Sequence, residues 1–167
     1  NAAGVLEFTS ALIQVSESEG GLFDLTQNAS PMGALVTIRR GQGFSGKILV
    51  DCIVSDGTAT NGIQYSVGVI PPAKSITNVL TLVDLQTSTN FLIRINDDSV
   101  TNAARTILLK LANPRLAAGE DPTLLAPKLG TVTNSTVRIL DNEPGFNIER
   151  AVFKRSEKGG KIGRAHV

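Results

Sequence analysis

Short runs of Val, Ile, Leu and Thr recur along the chain and are broken by Gly, Pro, Asn and Asp. In LIQVSE (12–17), Ile13 and Val15 alternate with polar neighbours, which is typical of a strand with one face in water. Eight segments of this kind are predicted as strands: VLEF (5–8), LIQVSE (12–17), ALVTIRR (34–40), KILVDCIV (47–54), NVLTLVD (78–84), NFLIRI (90–95), TILLKLA (106–112) and STVRIL (135–140). The turn signals GQG, DGTATNG and ANP lie between them, so the sequence predicts an all-β sandwich of antiparallel strands.

The segments between the predicted strands are rich in turn-forming and polar residues. Two longer inserts, FDLTQNASPMG (23–33) and RLAAGEDPTLLAPKLG (115–130), are predicted as loops. Asp56 and Gly57 in DGTATNG are interpreted as a structural turn in which the glycine supplies the left-handed position.

The charge balance favours neither nucleic acid nor a membrane as a partner. The 167 residues include 16 basic and 15 acidic side chains, a net charge of +1, which leaves no basic footprint for nucleic acid. Arg39 and Arg40 are interpreted as a solvated strand edge, and the basic residues between Lys154 and Arg164 as a linker. No apolar run approaches the length of a membrane span, so we expect no direct membrane insertion in this segment.

The chain has few residues suited to catalysis. Its single cysteine, Cys52, lies in a predicted buried strand and is interpreted as a core residue. Its single histidine, His166, has no partners for a catalytic triad or a zinc site. The sequence therefore predicts a protein that is not an enzyme.

The C-terminal segment repeats part of the N-terminal one. Phe8, Ala11, Ile13, Val15, Glu17 and Gly20-Gly21 recur as Ile148, Ala151, Phe153, Arg155, Glu157 and Gly159-Gly160, at an offset of about 140 residues. This spacing predicts one complete module at residues 1–143. Residues 144–167 are then a linker and the first strand of a following repeat, or in part a tag.

Acidic residues follow three of the predicted strands. If NFLIRI, TILLKLA and STVRIL are consecutive antiparallel strands, the outer two end at the same pole of the sandwich. Those ends carry Asp97-Asp98 and Asp141-Asn142-Glu143, and Glu17 at the end of LIQVSE can reach the same pole. Because calcium takes six to eight oxygen ligands, a cluster of this kind is suited to calcium, whereas a polar turn needs only one or two such groups.

Several stretches, taken in order, resemble one known family. GVLEF…VSESEGG, VTIRRG, SDGTATNGIQY, INDDSVTNAARTILLKL and TVRILDNE, within residues 4–143, are similar to the Calx-beta domain. The family is named from the regulatory region of the sodium/calcium exchanger and occurs in tandem in adhesion and matrix proteins. The resemblance implies an immunoglobulin-like β-sandwich of about seven strands, with calcium, where present, bound at one pole.

The resemblance also implies particular site residues. The family's acidic positions fall on these candidate calcium ligands: Glu17, Asp97, Asp98, Asp141 and Glu143. Three other positions, usually acidic in the family, are occupied here by Gln64, Asn102 and Arg105. We hypothesise that Arg105 pairs with Asp97 or Asp98 and serves as a counter-ion in place of calcium.

Two functions from different classes follow from the resemblance. The first is a structural and adhesion module of a multidomain surface or secreted protein, whose partners are neighbouring repeats and a protein or matrix ligand, with a weakened calcium site. The alternative is a calcium-responsive module that stiffens the junction with the next repeat. A carbohydrate-binding sandwich is less favoured, because aromatic residues make up 4% of the chain and Trp is absent.

Overall fold

The computed structural model describes residues 1–17, 33–67, 75–97 and 100–142. Within these ranges the chain forms ten strands and no helix. The strands are β1 (Val5–Phe8), β2 (Leu12–Ser16), β3 (Ala34–Gly41), β4 (Ile48–Asp56), β5 (Tyr65–Ser66), β6 (Ser75–Leu82), β7 (Ser88–Ile95), β8 (Arg105–Leu116), β9 (Lys128–Leu129) and β10 (Asn134–Leu140). All eight predicted strands are confirmed, and the two additional ones, β5 and β9, are too short to show a periodic pattern.

The strands form two five-stranded sheets that pack face to face. Sheet one has the order β5-β7-β3-β1-β9, and sheet two the order β2-β10-β8-β4-β6. Most neighbours are antiparallel, so the predicted sandwich is confirmed, but β1 pairs parallel with β9 and β2 pairs parallel with β10. The chain therefore passes from sheet one to sheet two between β1 and β2.

The core lies between the sheets and is filled by the inward-facing residue of every second position. In β4, Ile48, Val50, Cys52 and Val54 are buried, while the residues between them are partly exposed. Cys52 is fully buried, as predicted, and burial raises the pKa of its thiol to about 12. The facing layers are supplied by Leu6, Phe8, Val36, Ile38, Ile93 and Ile95 from sheet one and by Val15, Ile107, Leu109, Leu111, Val137 and Ile139 from sheet two.

The ANP segment, predicted as a turn, lies inside β8. The strand continues to Leu116, and its register against β4 shifts between Leu49 and Asp51, which makes a β-bulge. Asn113 accommodates the bulge with a φ of 50°. Pro114 lies beyond Lys110, the last β8 residue paired with β10, so its missing N–H removes no bond from that ladder. The prediction of a turn was wrong because Asn and Pro occur in β-bulges as well as in turns.

Arg39 and Arg40 lie on opposite faces of β3. The Arg39 side chain is 62% exposed and forms an ion pair with Glu7 on β1, as expected of a solvated position. Arg40 is only 3% exposed, so its prediction as a solvated residue was wrong. Its guanidinium donates to four backbone carbonyls, those of Ala3 (2.7 Å), Val83 (3.1 Å), Ser45 (2.8 Å) and Gly46 (2.9 Å).

Residues 144–167, predicted as a linker and the start of a second repeat, lie outside the described residues. The described part of the chain contains no helix of the length and hydropathy needed to cross a membrane.

Candidate metal centre

The candidate site lies at the end of the sandwich where β2, β4, β7 and β10 finish and β3 and β8 begin. We call this end the acidic pole and define it by Glu17, Asp97, Arg105 and Asp141. In contrast to the prediction, β7 is not in the same sheet as β8 and β10. The end of β7 still lies at this pole, because Asn96 donates its backbone N–H to Gln64 O (2.9 Å) in the turn that follows β4.

Glu17 and Asp141 are brought together by the parallel pairing of β2 and β10. Ser16 pairs with Leu140 at the last register position, so the two carboxylates come next on neighbouring strands. Both continue the inward-facing positions of their strands, Val15 and Ile139, and Glu17 is only 1% exposed. Two carboxylates therefore lie at the end of the space between the two sheets. A charged carboxylate that is partly buried there is stabilised by a neighbouring cation.

The Oδ1 atom of Asp141 is a second observation that supports a cation at this position. It is buried, and no donor among the described residues reaches it. A buried acceptor without a donor costs about 1–3 kcal/mol, which a bound cation would recover. The residues at this position therefore fit a calcium ion in chemistry and in burial.

The described residues do not complete a calcium cluster. Asp97, at the end of β7, is exposed, and no three Asp, Glu, His or Cys side chains in the described ranges lie close enough together to hold a metal ion. Two predicted ligands, Asp98 and Glu143, lie outside the described residues. Glu17 and Asp141 are thus the pair of candidates that the strand pairing brings side by side.

Gln64 stands at a position that is usually acidic in the family. Its hydrogen bonds help to hold the chain at the acidic pole. It is 9% exposed, and its Oε1 accepts from the backbone N–H of Thr60 at 2.9 Å. Its carbonyl accepts from Asn96, so one residue joins the turn after β4 to the end of β7. The amide of Gln64 thus holds the turn after β4 by a hydrogen bond, without a metal ion.

Asp56 is the second support, and its predicted role in a turn is confirmed. Its Oδ1 accepts from the backbone N–H of Asn61 at 2.9 Å and from the hydroxyl of Tyr65 at 2.6 Å. Burial and the neighbouring Asp56 carboxylate both raise the pKa of Tyr65 above its ordinary value. Asp56 therefore ties the end of β4 to β5 across the two sheets.

Gly57 has a different role from the one predicted. Its φ is not in the left-handed region, which in this turn is used by Gly62 (φ 86°). A Cβ on Gly57 would lie 2.6 Å from the carbonyl oxygen of Thr106 and closer still to its hydroxyl. Glycine is required because the turn packs its backbone directly on β8, and such a close approach leaves no signal in the sequence.

Arg105 begins β8 and continues the inward-facing positions of Ile107 and Leu109. Its Nη1 donates to Thr58 O at 3.2 Å and its Nη2 to Asn102 Oδ1 at 3.5 Å, while the buried Nε has no acceptor among the described residues. No ion pair with Asp97 is present in the described ranges, and the alternative partner Asp98 lies outside them. The hypothesised counter-ion is at the pole, but it is held by polar groups.

Asn102, the other departure, belongs to the segment that leads into β8. Its side-chain amide donates to Val100 O at 2.7 Å, and its Oδ1 accepts from Arg105. Two of the three residues that stand where the family usually has acids, Asn102 and Arg105, are therefore hydrogen-bonded to each other.

A pocket of about 270 Å³ lies away from the acidic pole. Its lining consists of Ala2, Gly4, Val5, Gln42, Leu125, Ala126 and Lys128. Because none of these side chains is aromatic, the pocket offers no surface on which a sugar ring could stack.

Comparison with known proteins agrees with this geometry. The sequence model of the Calx-beta domain matches residues 1–143. The chain belongs to the Calx-beta family. No curated protein matches it significantly.

Solved structures of Calx domains share the fold of this Calx-beta chain. The apo form of the Calx CBD1 domain is 22% identical with a TM-score of 0.59, covering 83% of this chain and 96% of that one. The Calx CBD2 domain is 16% identical with a TM-score of 0.65, covering 95% and 94%. The calcium binding domain CBD12 of CALX1.1 is 21% identical with a TM-score of 0.58, covering 83% of this chain and 46% of that one. The TM-scores establish a common fold, and at identities below 25% the likeness extends to the fold alone.

Proposed function

We propose that this Calx-beta domain is a non-enzymatic structural module of a larger surface or secreted protein, with a weak calcium site at its acidic pole. The observation that carries the proposal is the position of Glu17 and Asp141, which directly follow the last register pair of two adjacent strands. Arg105 pairs with Ile139, two residues before Asp141. At the same end of the sandwich, Gln64 and Asp56 are engaged in holding the turn after β4. The pole is thus braced by the protein itself and does not depend on an ion for its shape.

The charge at the pole supports weak calcium binding. Glu17 and Asp141 would be the inner ligands, with Asp97, Asp98 and Glu143 as the further candidates that complete the coordination. A guanidinium about 5 Å from a divalent ion repels it by roughly 6–7 kcal/mol at an effective dielectric near 20. Arg105 must turn away from the ion or weaken its binding by several decades.

We base the proposed absence of enzyme activity on the burial and the raised pKa of the single thiol, that of Cys52. Cys52 is fully buried in β4, and burial raises its pKa to about 12, so it is neither accessible nor ionised near neutral pH. A nucleophilic role would require both properties.

The setting in a larger protein is proposed from the same family relationship. The CBD12 structures, of which this chain spans less than half, are long enough for two domains of this size. We infer that neighbouring Calx-beta repeats are partners, and that an extracellular location with a protein or matrix ligand suits such an array.

A calcium-responsive junction is the second candidate, and one observation favours it. Asp141 directly follows the last residue of β10, so a candidate ligand is also the first residue of the outgoing chain. An ion held there would restrain the direction in which the chain leaves the domain.

Calcium titration separates the two candidates. For the structural module we expect a Kd weaker than about 10⁻⁴ M, the weak end of the range for calcium modules. With a Kd near 1 mM, 1 mM calcium stabilises the fold by about 0.4 kcal/mol and raises Tm by roughly 1–2 °C. A Kd near 1 μM would give about 4 kcal/mol and a rise of roughly 8–16 °C.

Two variants test whether calcium binds at the acidic pole. D141N should abolish the calorimetric signal, whereas R105Q should tighten binding at least tenfold because it removes the repelling charge. A large Tm rise in the wild type, reversed by chelator, would favour the calcium-responsive junction. Calcium binding that D141N leaves unchanged would contradict both candidates.

A further inference from the structure

Strand β6 (Ser75–Leu82) forms one edge of sheet two. It pairs with β4 over all eight residues, from Ile48 with Leu82 to Ser55 with Ser75, and the register contains no bulge. In the described ranges no strand pairs with its other side. Every second residue of β6 therefore directs its N–H and C=O away from the sheet, where another strand could bind them.

The other edges are shorter. Sheet one ends in β5 and β9, which have two residues each, and the far edge of sheet two is β2, with five. Because β5 pairs only with Arg94 and Ile95, residues 88–93 of β7 also pair on one side only in the described ranges. Short edges are one of the ways in which β-proteins avoid pairing with other chains. Strand β6 has eight residues, so it presents the longest edge in the described part of the molecule.

The sequence of β6, SITNVLTL, also lacks the features that usually protect an edge. It contains no charged residue and no proline. The outward-facing residues are Ser75, Thr77, Val79 and Thr81, and Val79 is 55% exposed. These are the β-branched and hydroxyl side chains that favour strand pairing.

We propose that β6 pairs antiparallel with β6 of a second copy of this chain, which joins two copies of sheet two into one ten-stranded sheet. A two-fold axis at Val79 places Val79 opposite its own copy and Thr77 opposite Thr81. Threonine pairs and apolar β-branched pairs are favourable across antiparallel strands. Because β6 has no charges, the symmetric pairing brings no like charges together, and it offers no charge to select a charged foreign strand.

Sedimentation measurements over a concentration series test the proposal. The wild type should show a monomer–dimer equilibrium, and V79K should weaken the dimer at least tenfold, because it places two ammonium groups opposite each other. L108K is the matched control: Leu108 is 46% exposed on β8, also outside the core, but two strands away from the β6 edge. It should leave the dimer unchanged.

A cysteine cross-link tests the register independently. Oxidised V79C should form an intermolecular disulfide, whereas L108C should not, and the buried Cys52 contributes no background. The inference is overturned if the wild type stays monomeric up to millimolar concentration, which would leave only a foreign strand as partner. It is also overturned if a dimer forms that V79K does not weaken and V79C does not cross-link.

Discussion

Replacing Arg40 by methionine should cause a large loss of stability. The side chain is 3% exposed, and its guanidinium donates to four carbonyls from three segments of the chain. Burial lowers the pKa of Arg40, while Asp84 and Glu120 act in the opposite direction. A guanidinium keeps its charge in proteins, so the side chain has donors only. Methionine fills similar space but removes a donor from all four carbonyls. Val83 O keeps a second donor, the backbone N–H of Gln86 at 3.1 Å, and the other three lose theirs.

The size of the loss follows from the number of carbonyls. Each buried acceptor left without a donor costs about 1–3 kcal/mol, and water will reach some of the three that lose their donor after substitution. We therefore expect R40M to lower the free energy of unfolding by about 3–5 kcal/mol, which corresponds to about two carbonyls that stay dry. This is a large fraction of the roughly 5–15 kcal/mol that a domain has in total.

Urea unfolding followed by far-ultraviolet circular dichroism measures the effect, because the chain has no Trp to serve as a fluorescent probe. R39M is the matched control, since Arg39 is adjacent, 62% exposed and paired only on the surface, and its loss should be much smaller. R40K should be intermediate, because an ammonium group keeps the charge but has three donors for four carbonyls. If the free energy of unfolding of R40M lies within about 1 kcal/mol of the wild-type value, the hydrogen bonds of Arg40 do not stabilise the fold as argued.

Two further predictions concern acid stability and the close approach of a turn. Hydrogen bonds from Arg39, Val132 and Thr131 hold the pKa of Glu7 at about 2, below the ordinary 4.5, so its contribution to stability is present above pH 4.5 and is lost as the pH falls to 2. The Tm difference between wild type and E7Q should therefore shrink over this window, and a constant difference would contradict the assignment. G57A should cost about 1–3 kcal/mol in thermal unfolding because its Cβ meets the backbone of β8. G41A, where a Cβ meets nothing within 4 Å, is the control, and equal losses would show that the close contact is not the cause.

The strands were predictable because their signal is local. From Thr136 to Ile139 of β10 the alternation of buried and more exposed residues follows the alternation of residue types, so the pattern also gives the inward face. In β4 the outward-facing Leu49 and Ile53 are apolar too, so the sequence indicates the strand but not its inward face. Arg40 breaks the rule, since a charge occupies an inward position, and only the backbone carbonyls around it explain why that position is tolerated. Two of those carbonyls, on Ala3 and Val83, lie 37 and 43 residues from Arg40 in sequence, and backbone carbonyls carry no residue-specific signal.

The candidate site was predictable as a set of residues but not as an arrangement. The proximity of Glu17 to Asp141 depends on the parallel pairing of β2 with β10, which joins the two ends of the domain. No local pattern distinguishes that pairing from an antiparallel one. Arg105 instead contacts Thr58, which the turn after β4 brings to it, and Asn102, which lies three residues before it in the chain. Its pairing with Asp98, outside the described residues, stays a prediction.

The parallel pairing of β2 and β10 also has a mechanical consequence. Tension applied between the N-terminal side of β2 and the C-terminal side of β10 pulls the two strands in opposite directions along their shared ladder. The five register pairs, from Leu12 with Thr136 to Ser16 with Leu140, are then loaded in shear, and they must break together, not one after another. Forced unfolding is governed by the height of such a barrier, so this pairing should make the domain resist tension applied in that direction.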